Sequence, residues 1–78
     1  VPSNELFREE LALAWGEEYS SLPAPAQAIL LEDFKYKWEN EGGYNAYGSV
    51  QQCAEDYRDS IYVGNLASHV QACARHYA

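Results

Sequence analysis

Apolar residues recur along the chain at the three- and four-residue spacing of an amphipathic helix, and no segment develops the alternating β-branched pattern of a strand. Phe7, Leu11 and Ala14, with Trp15 beside them and Leu22 further on, predict a first helix from about Glu5 to about Tyr19. Ser3 or Asn4 can cap its start, and Glu5 suits the positive end of the helix dipole. Gly16 interrupts this helix at a cost of about 1 kcal/mol relative to alanine, which points to close approach by a neighbouring helix. The prolines of Ser20-Ser21-Leu22-Pro23-Ala24-Pro25 push their preceding residues out of helical geometry, and Pro25 fits the first helical position of the next element. That second helix runs from about Pro25 to about Glu41 on a stripe of Ala26, Ile29, Leu30, Phe34 and Trp38, widened by Leu31. Gly42-Gly43 end it, because glycine accepts the left-handed conformation that closes helices.

After the connection Gly43-Tyr44-Asn45-Ala46-Tyr47-Gly48, Ser49-Val50-Gln51-Gln52 matches a capping box, with Ser followed three residues later by Gln. The third helix carries Val50, Cys53, Ala54, Tyr57 and Ile61 on one face and Gln52, Glu55, Asp56 and Asp59 on the other. Tyr62-Val63 is read as a helix end, Gly64 as its terminator and Asn65 as the cap of a fourth helix whose stripe is Leu66, Val70, Cys73 and Tyr77. The expected fold is therefore all-α: a compact bundle of about four short helices, joined by short Pro- and Gly-rich connections, forming one domain over 1–78. Its core is expected to contain Phe7, Leu11, Trp15, Leu30, Phe34, Trp38, Tyr57, Ile61, Leu66 and Val70.

Composition sharpens this picture. A chain of 78 residues buries little surface, so a stable core must be well packed, stapled or oligomeric. With 47% hydrophobic residues, seven Tyr and two Trp, the material for such a core is present. Twelve Asp and Glu against five Lys and Arg give a net charge of −7 and no basic run, which argues against direct nucleic-acid binding. The same acidity suits a protein partner with a basic surface, including a surface that otherwise binds nucleic acid. No stretch approaches the ~20 apolar residues of a membrane span and no signal-peptide pattern is visible, so no membrane association is expected, and the compartment is left open with a cytoplasmic setting favoured.

The candidate chemistry is sparse. No phosphate-binding glycine loop and no His-Glu-x-x-His motif occurs. The adjacent acids Glu9-Glu10, Glu17-Glu18 and Glu32-Asp33 point about 100° apart on a helix, as on a solvated face rather than in an acid/base dyad. No catalytic residue and no cofactor is assigned. If the third and fourth helices form an antiparallel hairpin, Cys53 and Cys73 lie at similar heights on facing stripes, close enough for a disulfide, or else remain free core thiols. His69, Cys73 and His76 follow i, i+4, i+7 on one helix face, and Cys53 could complete a zinc tetrahedron. The set lacks the close-spaced ligand pairs of common zinc modules, so no metal ligand is assigned.

The best recognition element is the loop between the second and third helices. Tyr44, Asn45 and Tyr47 among glycines offer large contact area at low entropy cost, and Glu39, Glu41, Glu55, Asp56 and Asp59 surround them with negative charge. The opposing expectation is that Tyr44 and Tyr47 fold back as lids over a thin core. Gly43 to Asp59, under a quarter of the chain, resembles the acidic anti-restriction proteins of mobile elements in its mixture of Tyr, Gly, Ser and helical acids. No diagnostic motif accompanies the resemblance and no residue role is carried over from it. The expected function is a small acidic, non-enzymatic protein-binding module, of the inhibitor or adaptor kind that phages and mobile elements encode to block a basic, nucleic-acid-binding surface by mimicking DNA. The alternatives are a helical module stabilised by zinc or a disulfide, and a small secreted helical protein.

Overall fold

The computed structural model describes residues 1–61 and 65–77, and every regular element in it is helical. The helices are α1 (Asn4–Trp15), α2 (Glu17–Ser20), α3 (Ala24–Asn40), α4 (Val50–Asp59) and α5 (Leu66–Tyr77), with a short 3₁₀ turn at Gly43–Asn45. No strand occurs among the described residues. The expectations for Tyr62, Val63 and Gly64 lie outside them.

Local chemistry sets the boundaries. Ser3 caps α1 by accepting from the Leu6 amide at 3.1 Å, and Ser49 caps α4 by accepting from Gln52 at 3.1 Å. The single first helix expected from the apolar spacing is instead two. Gly16 has φ +67°, which breaks the helix after Trp15 and starts the one-turn α2. A side chain at Gly16 would meet nothing within 4 Å, so this glycine serves a backbone conformation that L-residues disfavour rather than close helix approach. At the other end of α3, Gly43 combines both reasons: its φ is +56°, and a Cβ there would lie 3.2 Å from the Trp38 indole nitrogen. The α2–α3 corner is tied by Gln27, whose amide donates to the carbonyls of Tyr19 and Leu22, each at 3.1 Å.

The long α3 is the central element. It packs against α1, α4 and α5, while α1 also lies along α4. Phe34, fully buried, sits between Phe7 of α1 (edge to face, 5.5 Å between centroids) and Tyr57 of α4 (5.6 Å). Leu11, Leu30, Leu31, Trp38, Val50, Cys53, Ala54, Ile61 and Leu66 complete this core with Tyr19. Trp15 and Val70 pack on its edge, half-buried rather than central. Tyr19 enters the core because the break at Gly16 redirects α2, a displacement that a continuous helical stripe does not foresee.

The hairpin expected of the last two long helices does not form in the way that would pair the cysteines. α5 lies mainly against α3 rather than α4. Cys53 and Cys73 are both buried and both free, with different polar neighbours: Tyr47 and Lys37 for Cys53, Asp33 and His69 for Cys73. No described helix is long and apolar enough to cross a membrane.

Candidate functional site

Three polar features rise from this fold: the loop after α3, a groove between α1 and α4, and a half-buried cluster between α3 and α5. The loop is held by the C-terminal turn of α3. The Lys37 ammonium lies 2.8 Å from Glu41 and 3.1 Å from Asp56, joining α3 to α4. Tyr47 donates its hydroxyl to Glu41, and its ring stacks on Trp38 with centroids 6.2 Å apart. Burial lowers the affinity of Lys37 for its proton, but the bonds to Glu41, Asp56 and Tyr47 outweigh it and leave the pKa raised. The bonds from Lys37 and Tyr47 hold Glu41 below the ordinary carboxylate value, and burial together with Glu41 pushes Tyr47 up to about 12. Tyr47 therefore sits as a half-buried lid over Trp38. Tyr44 differs: its ring meets Trp38 edge-on at 4.8 Å, yet 61% of the residue remains exposed.

The acids expected around the loop fall into separate settings. Glu41 and Asp56 are joined through Lys37. Glu55 accepts from Gln51 at 3.1 Å and Asp59 pairs with Arg58 at 3.0 Å, both further along α4. Glu39 and Asn45 are exposed.

The groove runs along the seam of α1 and α4. One depression, of about 250 Å³, is lined by Leu6, Glu10, Tyr44, Gly48, Ser49, Val50 and Gln51. A second, of about 160 Å³, is lined by Leu13, Ala14, Gln51, Glu55 and Arg58. Gln51 joins the two. Leu6, Glu10 and Leu13 on α1 face Gln51, Glu55 and Arg58 on α4, each set at i, i+4, i+7, which places each set along one helix face. Leu13 is 77% exposed at one end and Tyr44 stands at the other. Glu10 has one carboxylate oxygen enclosed by protein with no hydrogen-bond partner. The flanking elements α1 and α2 carry Glu5, Glu9, Glu10, Glu17 and Glu18 against the lone Arg8, and none of these glutamates joins a salt bridge among the described residues.

The cluster centres on Asp33 of α3, a residue whose pairing with Glu32 in sequence suggests a solvated face. The structure overturns that expectation. Tyr57 donates to Asp33 Oδ2 at 2.8 Å and Tyr77 to Oδ1 at 2.9 Å, while His69 Nε2 lies 3.0 Å from Oδ2. Burial raises the pKa of Asp33, but the bonds from Tyr57, Tyr77, His69 and Cys73 outweigh it and hold it below the ordinary value. Burial and the Asp33 charge push Cys73 and Tyr77 each up to about 12. Burial, reinforced by the bond to Asp33, raises Tyr57 as well. His69 and Cys73 do lie together, as their i, i+4 spacing suggests, with Sγ 3.4 Å from Nε2. The expected partners His76 and Cys53 do not join them. His76 is exposed against the edge of Tyr77, and Asp33 takes the third place.

A nucleophilic Cys-His-Asp relay places thiol and carboxylate on opposite ring nitrogens, so that the acid orients the base. Here Sγ, Oδ2 and the Tyr57 oxygen all face the same nitrogen, Nε2, at 3.4, 3.0 and 3.1 Å. The arrangement is a convergent point rather than a relay. A faint signal for it was present in the sequence: Asp33 and Lys37 occupy i+3 and i+7 from Leu30, polar residues on the margin of an apolar stripe. The chain matches no protein-family model, no curated protein and no solved structure.

Proposed function

We propose that the protein is a non-enzymatic binding module that receives a basic segment of a partner protein in the α1–α4 groove. The observation that carries this reading is the carboxylate of Glu10. An enclosed polar atom without a partner costs about 1–3 kcal/mol, more when charged, and Glu10 is one of the residues that line the depression beside Tyr44. A lysine or arginine entering the depression would supply the missing donor once the Glu10 side chain turns its enclosed oxygen toward it. The groove has the composition of a recognition surface: an exposed aromatic at one end, an exposed leucine at the other and carboxylates between. The unpaired glutamates of α1 and α2 would steer a cationic partner and make association fall with salt. A basic surface that otherwise contacts nucleic-acid phosphates is the class of partner with this chemistry, and occupying it would make the protein an inhibitor.

The recognition loop enters this reading in reduced form. Tyr44 belongs to the groove, whereas Tyr47, Glu41 and Asp56 support it from behind. The test is fluorescence anisotropy with a labelled amphipathic Lys/Leu peptide and an acidic peptide of equal length. The wild type should bind the basic peptide alone, more weakly as salt rises. Tyr44→Ala should weaken binding about tenfold or more, as hot-spot aromatics do, and Glu10→Gln should weaken it without unfolding the protein. Tyr36→Ala, an exposed tyrosine on α3 outside this groove, should leave it unchanged. Equal affinity for Tyr44→Ala, Glu10→Gln and wild type would remove the groove as the site.

A further inference from the structure

On the α3–α5 side, we propose that Asp33, His69 and Cys73 form a zinc-binding site. Their ligand atoms, Oδ2, Nε2 and Sγ, all lie within 4.8 Å of one another, with Nε2–Oδ2 at 3.0 Å and Nε2–Sγ at 3.4 Å. Zinc bonds of about 2.0–2.1 Å to nitrogen and oxygen and about 2.3 Å to sulfur place tetrahedral ligands roughly 3.3 Å apart for N···O and 3.6 Å for N···S. Outward shifts of a few tenths of an ångström would bring both of these pairs to tetrahedral spacing. The Tyr57 oxygen, 3.1 Å from Nε2 and 2.8 Å from Oδ2, would neighbour a bound ion.

The donor set selects the metal. A thiolate and an imidazole beside one carboxylate suit zinc, whereas magnesium and calcium take oxygen ligands. Without a metal, Tyr57, His69 and Cys73 all converge on the Asp33 carboxylate. Nε2 offers one hydrogen or one lone pair, yet it faces a carboxylate oxygen, a phenol oxygen and a sulfur. A cation at their centre would serve all of them, and the Cys73 thiol proton would leave to solvent as the Zn–S bond forms.

The surroundings supply support and access. Tyr77 donates to Asp33 Oδ1 and so keeps Oδ2 directed at His69, the type of outer bond that orients a carboxylate ligand. The side chains of His69 and Asp33 remain 29% and 21% exposed, and a depression of about 380 Å³ lined by Ser60, Ile61, Asn65, Ser68 and His69 opens beside the histidine. With ligands on α3 and α5, the ion would staple the last helix to the central one, a stabilisation that small domains commonly need.

The test is titration of the metal-free full chain with Co²⁺, followed by displacement with Zn²⁺. The wild type should take up one cobalt per chain, with the visible bands of a tetrahedral site and a thiolate-to-cobalt charge-transfer band, and zinc should abolish both. Added zinc should raise the melting temperature and a chelator should reverse the rise. Cys73→Ser should eliminate the charge-transfer band, His69→Gln should weaken cobalt binding at least tenfold, and Cys53→Ser should change neither. If Cys73→Ser does not fold by circular dichroism, Asp33→Asn takes its place, with tenfold or greater loss of affinity and the thiolate band retained. Absence of the charge-transfer band in the wild type at saturating cobalt would overturn the proposal. So would its loss in folded Cys53→Ser, or unchanged affinity in Asp33→Asn.

Discussion

Two carboxylates, each partly buried on a long helix, meet opposite fates in this molecule. Asp33 on α3 accepts hydroxyl bonds from Tyr57 and Tyr77 and lies against His69, so both its oxygens are satisfied. Glu10 on α1 has an oxygen enclosed without a donor. The difference follows from what packs opposite each helix. α3 faces α5, which presents His69, Cys73 and Tyr77 on one stripe, and Tyr57 of α4 completes the ring of donors. α1 faces the solvated margin of α4, where Gln51 donates to Glu55 and Arg58 reaches the Ala14 carbonyl at 3.2 Å. Similar burial therefore yields an internal tie on one side and an unmet need on the other. In the function proposed above, a basic partner would meet that need.

The largest effect should come from the residue that both sides share. Phe34 touches Phe7 on the α1 side and Tyr57 on the cluster side, and Phe34→Ala should cost about 3–5 kcal/mol in chemical denaturation. A change below about 1 kcal/mol would mean that the two regions do not lean on one core.

The two acids should respond differently to removal. Asp33→Ala in metal-free buffer strands the Tyr57 and Tyr77 hydroxyls and should cost about 2–3 kcal/mol. Glu10→Met removes an unsatisfied atom while keeping the helix and the side-chain volume, so stability should stay within about 0.5 kcal/mol or rise by up to about 1 kcal/mol. Urea denaturation of both variants decides this, and equal losses would erase the distinction.

The smallest effect concerns the Lys37–Glu41–Tyr47 tie behind the loop. The folded pKa of Glu41 lies below its ordinary 4.5, so its contribution is present above about pH 4.5 and drains away as pH falls through the lower folded value. Glu41 is exposed, and solvent screening limits the contribution to less than about 0.5 kcal/mol. The melting temperatures of wild type and Glu41→Gln should differ slightly near neutral pH, then converge in acid and in high salt. A gap that widens on acidification would contradict the pairing.

What the sequence determined by itself is whatever depends on neighbours a few residues apart. The stripe Val50, Cys53, Ala54, Tyr57 and Ile61 is buried throughout, the face of Gln52, Glu55, Asp56 and Asp59 is exposed, and Ser49 caps the helix that carries them. Periodicity and capping act within one or two turns, so they can be read along the chain. Tertiary structure alone decided which helix lies against which. The break at Gly16 turned Tyr19 into the core, the docking of α5 on α3 kept Cys53 and Cys73 unpaired, and the same docking brought Asp33 to His69, Cys73 and Tyr77. Those contacts join residues as many as 44 positions apart, and no local spacing encodes a meeting at that distance.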